Sequence, residues 1–167
     1  MKIIYLPGFS ARNKEAAAEL KSEFKKEGFE LNVIHWDHWQ SGKSSFNFGN
    51  ERGKVLKACG QDECVIIAKS VGTRLIASMI ASDENLHIKY LVLMGVPSQN
   101  RIYTDMLAKY PVKKLLVIQN DKDPYQSYAE LKRFFHGENV DIEIIRGDRS
   151  YHSYPFADII TDKIKKL

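Results

Sequence analysis

One serine lies where an apolar run ends abruptly. Residues 64 to 72 read Cys-Val-Ile-Ile-Ala-Lys-Ser-Val-Gly, and the apolar residues 65–68 predict a strand that is buried on both faces. The residues after Ser70 have helical spacing, so this serine is predicted to lie in a strand-to-helix turn. Ala68 and Gly72, two residues before and two after it, are small enough for a sharp turn. This is the pattern of a nucleophile elbow, with alanine in place of the usual first glycine.

A serine after a strand is more often a helix N-cap than a nucleophile, so the role of Ser70 depends on partners elsewhere. Asp123 and His152 each follow the carboxyl end of another predicted strand, and such ends meet at one edge of a parallel sheet. There an imidazole can take the proton of a serine hydroxyl, and a carboxylate can fix the tautomer of that imidazole. These residue types therefore indicate nucleophilic catalysis. Asp121 competes with Asp123 for the role of the acid, and Asp123 is alternatively an N-cap ahead of Pro124.

The elements that must position these residues alternate between strands and helices. Strands are predicted over residues 2–6, 29–36, 65–68, 88–94, 115–118 and 141–145, and helices over 14–26, 51–59, 73–82, 103–109, 125–135 and about 155–166. This alternation predicts an α/β fold of about six mainly parallel strands with helices on both faces. The runs near 29 and 141 alternate polar and apolar residues and are expected at the edges, whereas the other four are expected in the centre.

The segment 37–50 is rich in Ser, Gly and Asn and is predicted to be a long loop. It carries the aromatic residues Trp39, Phe46 and Phe48. Long loops with aromatic residues often line a ligand site, so Trp39 and Phe46 are predicted to contact the substrate, with Phe48 beside them. The hypothesis rests on loop length and aromatic content.

Size and composition favour one globular domain over residues 1–167, since 44% of the residues are hydrophobic and 28% are charged. The 25 basic and 21 acidic residues are mixed along the chain, so we expect no nucleic-acid partner. No apolar run approaches the length of about 20 residues that a membrane helix needs, so no membrane partner is expected. The start of the chain does not resemble a signal peptide, and Cys59 and Cys64 are expected to be free thiols in a cytoplasmic protein.

Three other patterns resemble binding motifs but lack residues that those motifs require. His35 and His38 are zinc-ligand types, but further ligands at a recognisable spacing are missing, and we expect no metal site. Residues 42–44 resemble the end of a phosphate-binding loop, but the earlier glycine of that motif would fall at Asp37. Residues 8–13 lack the glycine pattern of a dinucleotide-binding fold, so no cofactor is expected.

With these residues in view, the whole chain resembles a minimal α/β-hydrolase. The resemblance rests on residues 5–9 (Tyr-Leu-Pro-Gly-Phe), 68–72 (Ala-Lys-Ser-Val-Gly), 120–124 and 151–153, and on the chain order Ser, Asp, His. In size and arrangement the chain is similar to small bacterial esterases and to the retinoblastoma-binding-protein-9-like serine hydrolases. The family often inserts a cap after the strand that ends near residue 94. Only residues 97–111 are available here, so no separate cap domain is expected.

The resemblance implies a serine hydrolase with Ser70 as nucleophile, His152 as base and Asp123 as acid. The backbone N–H groups of Phe9 and Val71 are then implied to form the oxyanion hole. The expected substrate is a small carboxylic ester or a related acyl compound, although a thioesterase or peptidase would use the same residues. The alternative is a non-catalytic member of the fold that binds a ligand or a protein. Two departures from the family pattern are proline at position 7, where histidine is common, and alanine at position 68.

Overall fold

The core of the protein is a six-stranded parallel sheet, seen in a computed structural model that describes residues 1–42, 45–137, 142–148 and 151–167. Its strands are β1 (Lys2–Leu6), β2 (Leu31–Val33), β3 (Cys64–Lys69), β4 (Ile88–Met94), β5 (Leu115–Asn120) and β6 (Glu143–Gly147). Their order is β2-β1-β3-β4-β5-β6, and every neighbouring pair is parallel. The predicted α/β fold is confirmed, with the alternating strands at the edges. The order reverses between β1 and β3, where such sheets bind ligands.

Helices cover both faces of the sheet. They are α1 (Asn13–Lys26), α2 (His38–Ser41), α3 (Phe48–Cys59), α4 (Val71–Ala81), α5 (Arg101–Leu107), α6 (Tyr128–Gly137) and α7 (Ala157–Ile164). The buried residues of α1 and α7 form one apolar cluster with one face of the sheet, and those of α3 to α6 form a second cluster with the other face. The central strands are therefore apolar throughout because both of their faces are buried.

Strand β3 shows how this layering sets the direction of the side chains near Ser70. Ile66 and Ala68 belong to the cluster on the α3–α6 side, and Val65 and Ile67 belong to the cluster on the α1/α7 side. Side chains alternate along a strand, so Lys69, the last residue of β3, lies on the α1/α7 side.

The prediction that residues 37–50 form one loop was wrong in part. Residues 38–41 form α2, and α3 begins at Phe48, three residues earlier than expected. The Asn47 side chain caps α3 by accepting a hydrogen bond of 3.1 Å from the Asn50 N–H. A capping asparagine compensates for the poor helix formers Gly49 and Asn50 at the start of α3.

The predicted start at residue 125 of the helix over 125–135 was also wrong, because this helix, α6, begins at Tyr128 and Pro124 lies outside it. Ser127 and Glu130 form a capping box: the Ser127 N–H donates to Glu130 Oε2 at 2.8 Å, and the Glu130 N–H donates to Ser127 Oγ at 3.3 Å. Ser-x-x-Glu is a sequence signal that the prediction missed.

Parts of two predictions lie outside the described residues. These are Lys43 and Ser44 of the phosphate-loop-like sequence, and Asp141 at the expected start of the sixth strand. None of the helices in the described ranges has the length and apolar content needed to cross a lipid bilayer.

Candidate active site

Ser70 lies in the sharp turn between β3 and α4 that the sequence predicts. Its φ of 53° and ψ of −116° are rare for a residue with a side chain, and such strain is concentrated at functional sites. The Ser70 N–H donates to the Met94 carbonyl at 3.0 Å, and the Ser70 carbonyl accepts bonds from the Thr73 N–H and hydroxyl at 2.9 and 2.6 Å. A Cβ at Gly72 would collide with the Leu6 carbonyl group, so only glycine fits there. Hydrogen bonds to both the N–H and the carbonyl of Ser70 thus fix the turn.

Asp123 and His152 meet above the carboxyl ends of β5 and β6. His152 Nδ1 lies 2.6 Å from Asp123 Oδ2, and the Asp123 side chain is completely buried. The same oxygen accepts a bond of 2.6 Å from the Tyr154 hydroxyl, and Asp123 Oδ1 accepts one of 2.9 Å from the Tyr125 N–H. Burial raises the pKa of Asp123, but these three hydrogen bonds outweigh burial, and its pKa is lowered. The ionised carboxylate therefore places the imidazole proton on Nδ1 and leaves Nε2 as an acceptor.

The two aspartates that the sequence left open occupy different environments. Asp121 forms an ion pair with Arg146, with Nε–Oδ1 and Nη2–Oδ2 distances of 3.0 and 2.8 Å. Asp123 is therefore the aspartate that contacts His152. Because α6 begins at Tyr128, Asp123 does not cap a helix.

The imidazole and Ser70 both lie at the carboxyl end of β4. A Cβ on Gly95 would come within 2.6 Å of His152 Cε1, so the ring rests on the Gly95 backbone. Gly95 follows Met94, whose carbonyl accepts the Ser70 N–H. His152 Nε2 is buried, and within the described residues it has no hydrogen-bond partner. The structure thus joins Asp123 to His152 and brings both near Ser70, without a hydrogen bond between Ser70 and the ring in the described part of the chain.

Asn120, at the end of β5, positions the loop that carries His152. Its Nδ2 donates to the carbonyls of Tyr151 and Ser153 at 2.9 and 2.8 Å, on either side of His152. A Cβ at Gly147 would collide with Asn120 Oδ1. This role of Asn120 was not predicted from the sequence. A polar residue that ends an apolar strand, directly before the loop that carries Asp123, is the signal that could have indicated it.

Side chains hold the loop after β1 through hydrogen bonds to its carbonyl groups. Trp36 Nε1 donates to the Gly8 carbonyl at 3.2 Å, and the Phe9 carbonyl lies 2.6 Å from His38 Nε2 and 2.7 Å from Trp39 Nε1. Because C=O and N–H point in opposite directions across a trans peptide, the Phe9 N–H points away from Trp36. This N–H has no acceptor within the described residues.

Val71 supplies a second N–H at the same edge of the sheet, and this group has no acceptor in the part of the chain that the structure describes. It is the first residue of α4, so its N–H has no acceptor within the helix. Strands β1 and β3 are neighbours, and Phe9 and Val71 follow their carboxyl ends. Two unpaired N–H groups beside a serine are the arrangement that can stabilise a developing oxyanion.

Trp39 and Phe46 lie behind this loop. Trp39 is only 7% exposed and donates its indole N–H to Phe9. The Phe46 ring is 5.1 Å from the ring of Trp36 and 4.8 Å from that of Phe48, between centroids. These contacts support the loop, and the predicted contact of Trp39 and Phe46 with a substrate stays a prediction.

Metal-ligand residue types are not gathered in the described part of the chain, where no group of three or more His, Cys, Asp or Glu side chains is placed to hold a metal ion. Of the two histidines considered for zinc, His38 contacts the Phe9 carbonyl, and the His35 ring packs edge-on against Trp39 at 6.0 Å.

The fold is shared with solved structures of low sequence identity. A predicted CIB-like hydrolase from Thermoplasma acidophilum aligns with a TM-score of 0.71 and 16% identity, over 99% of this chain and 87% of that one. A lid-less α/β serine hydrolase from Xanthomonas campestris aligns with a TM-score of 0.68 and 14% identity, over 99% and 79%. An esterase from Pyrococcus furiosus has the same score and identity, over 99% and 82%.

The sequence itself matches no protein-family model and no curated protein. The likeness to these solved structures extends over nearly the whole chain, at 14–16% identity, and concerns the fold alone. The chain therefore has the α/β-hydrolase fold, in a form that places only α5 and a 3-10 turn (Val112–Lys114) between β4 and β5.

Proposed function

We propose that the protein is a serine hydrolase that cleaves a small carboxylic ester, or a related acyl compound, through an acyl-enzyme. The observation that carries the proposal is the 2.6 Å contact between His152 Nδ1 and buried Asp123, which leaves Nε2 as an acceptor with no partner among the described residues, beside the strand end that holds Ser70. An imidazole in this state is the base that a serine hydroxyl needs.

In the proposed reaction, His152 Nε2 takes the hydroxyl proton while Ser70 Oγ bonds to the substrate carbonyl carbon. The carbonyl π electrons move to oxygen, which accepts hydrogen bonds from the N–H groups of Phe9 and Val71. The intermediate collapses as the bond to the leaving alcohol breaks, and His152 returns the proton to that alcohol. Water then attacks the acyl-serine by the same route, releases the carboxylic acid and restores Ser70.

The Asp123 carboxylate has two tasks in this scheme. It fixes the tautomer that leaves Nε2 unprotonated, and it stabilises the imidazolium that forms in each step. The link from Ser70 Oγ to Nε2 must form when substrate binds. Catalytic hydrogen bonds are commonly long in free enzymes and shorten in the complex, and a rotation about the Cα–Cβ bond of Ser70 moves its hydroxyl.

The structural neighbours support this assignment only through the fold, since one fold hosts many functions. The neighbours include proteins described as a serine hydrolase and an esterase. The residues at the site, rather than the likeness, therefore carry the proposal.

A fluorophosphonate probe tests the proposal, because it reacts with an activated serine. We expect the wild-type protein to be labelled on Ser70, and we expect Ser70→Ala to be unlabelled. A panel of chromogenic esters of increasing chain length would then define the acyl group. A folded wild-type protein that neither reacts with the probe nor cleaves any ester would favour the non-catalytic binding protein instead.

A further inference from the structure

Lys69, the residue before Ser70, is a buried amine that the proposed reaction does not use. Only 7% of the residue is exposed, and its Nζ donates to Asn13 Oδ1 at 2.7 Å. Within the described residues, Lys69 has no carboxylate at ion-pair distance. A buried cation without a counter-ion destabilises a fold, and an apolar side chain at this position would be more stable. Lys69 therefore does not serve stability at this position, which indicates a role in function.

Asn13 connects this amine to the loop after β1. While its Oδ1 accepts from Lys69, its Nδ2 donates to the Ser10 carbonyl at 2.8 Å, and its backbone N–H donates to the same carbonyl at 2.9 Å. The amide also packs against Gly8, where a Cβ would come within 2.9 Å of both Oδ1 and Nδ2. Asn13 thus touches both residues that flank Phe9.

We propose that Lys69 and Asn13 are positioning residues, and that the protonated amine of Lys69 holds the Phe9 N–H in place through Asn13. The inference rests on the proposed function, in which that N–H binds the oxyanion. One charged hydrogen bond then ties the strand that carries the nucleophile to the loop that carries the oxyanion donor. Rigid placement of a donor relative to a nucleophile is what a preorganised site requires.

The charge state of Lys69 gives this link a pH dependence. Burial lowers the pKa of Lys69 to about 8, and the charge of Asp123 opposes this shift. An ammonium group is a stronger donor to an amide oxygen than a neutral amine is. The link should therefore weaken as the pH rises through about 8, and kcat should fall with it.

The other titratable and charged groups around Lys69 do not explain such a fall. They are Tyr5 of β1, Glu19 and Glu23 of α1, Asp123 and Tyr154 of the site, and Asp158 of α7; all but Asp123 line one cavity with Lys69. Burial raises the pKa of both tyrosines, so they stay neutral near pH 8. The pKa of Asp123 is lowered by its hydrogen bonds, so its charge does not change near that pH.

The test measures kcat and KM against an ester between about pH 6 and pH 10. In the wild type, kcat should fall above about pH 8.

Asn13→Asp adds a counter-ion, so the fall in kcat should move to higher pH by about one unit or more. Lys69→Met should lower kcat near neutral pH by about ten- to a hundredfold with KM little changed, and its alkaline fall should be absent. Lys21→Met, an exposed lysine on α1, should behave as wild type.

Folding is checked by circular dichroism, and Asn13→Asp provides an informative variant even if Lys69→Met is unstable. An alkaline fall at the same pH in wild type and Asn13→Asp, or a change in KM with kcat unaltered, would overturn the inference while leaving the hydrolase intact. A folded wild type without esterase activity or fluorophosphonate labelling would overturn both proposals.

Discussion

The two sides of Ser70 are built on different principles. On the acid–base side, a side-chain carboxylate organises the site, since Asp123 accepts hydrogen bonds from His152, Tyr154 and the Tyr125 N–H. On the side of the proposed oxyanion hole, the group proposed to act is a backbone N–H, and buried side chains hold the carbonyls of Gly8 and Phe9. We therefore expect activity to depend on the side chains of Asp123 and His152 on one side of Ser70. On the other side, it should depend on the buried residues that fix the position of the Phe9 N–H.

The largest effects are expected on the acid–base side. Asp123→Asn should lower kcat by about ten thousandfold, because the amide favours the wrong tautomer of His152, and His152→Ala should be at least as damaging. Steady-state ester hydrolysis measures both. Asp121→Asn is the matched control, since Asp121 pairs with Arg146, and it should change kcat by less than about threefold. If Asp121→Asn proved as damaging as Asp123→Asn, the assignment of the acid would be wrong.

The oxyanion side should respond to the backbone and not to the side chain. Phe9→Pro removes the N–H and should lower kcat by about a hundred- to a thousandfold. Phe9→Ala keeps the N–H and should cost less than about tenfold, mostly through lost stacking on His38. Equal losses of kcat in the two variants would contradict the role of this N–H.

A substitution of Trp36 tests whether the buried residues that hold the loop after β1 contribute to activity. Trp36→Phe keeps most of the buried ring but leaves the Gly8 carbonyl without its donor. We expect a loss of about 1–3 kcal/mol in the free energy of unfolding, measured in urea, and a fall of about tenfold in kcat. A loss of stability with unchanged kcat would mean that Trp36 serves the core alone.

The smallest effect on activity is expected for Tyr154→Phe. Loss of the hydroxyl should raise the pKa of Asp123 and cost about 1–3 kcal/mol of stability at neutral pH. Because the pKa of Asp123 is lowered by folding, its stabilising contribution is present at neutral pH and is lost as the pH falls below about 4. The stability gap between wild type and variant should therefore shrink in acid. A gap that does not change with pH would show that the hydroxyl does not act on Asp123.

The same contrast explains what could be predicted from the sequence. The strands and the residues at their ends were predictable, because an apolar run marks each strand locally and the residue that follows it is read directly from the sequence. The supporting contacts were not. Lys69 reaches Asn13 across 56 positions, and Trp36 reaches Gly8 across 28. Such pairs depend on which side chains the fold brings together, and no local pattern encodes them.

Hydrogen bonds from capping side chains also set two helix starts that the hydrophobic pattern predicted incorrectly. The capping box formed by Ser127 and Glu130 places the start of α6 at Tyr128, three residues later than predicted. The capping side chain of Asn47 allows α3 to begin at Phe48, within a segment that was predicted to be a loop. Individual hydrogen bonds to a helix end decided both boundaries.

In the proposed reaction, Ser70 carries the acyl group during turnover. Rapid acid quenching of ester hydrolysis, followed by mass spectrometry of the peptide around Ser70, tests it most directly. In wild type we expect a peptide heavier by the mass of the acyl group, and this peptide should accumulate together with a burst of released alcohol. Continued hydrolysis in Ser70→Ala, or turnover in wild type with the acyl group on another residue, would contradict it.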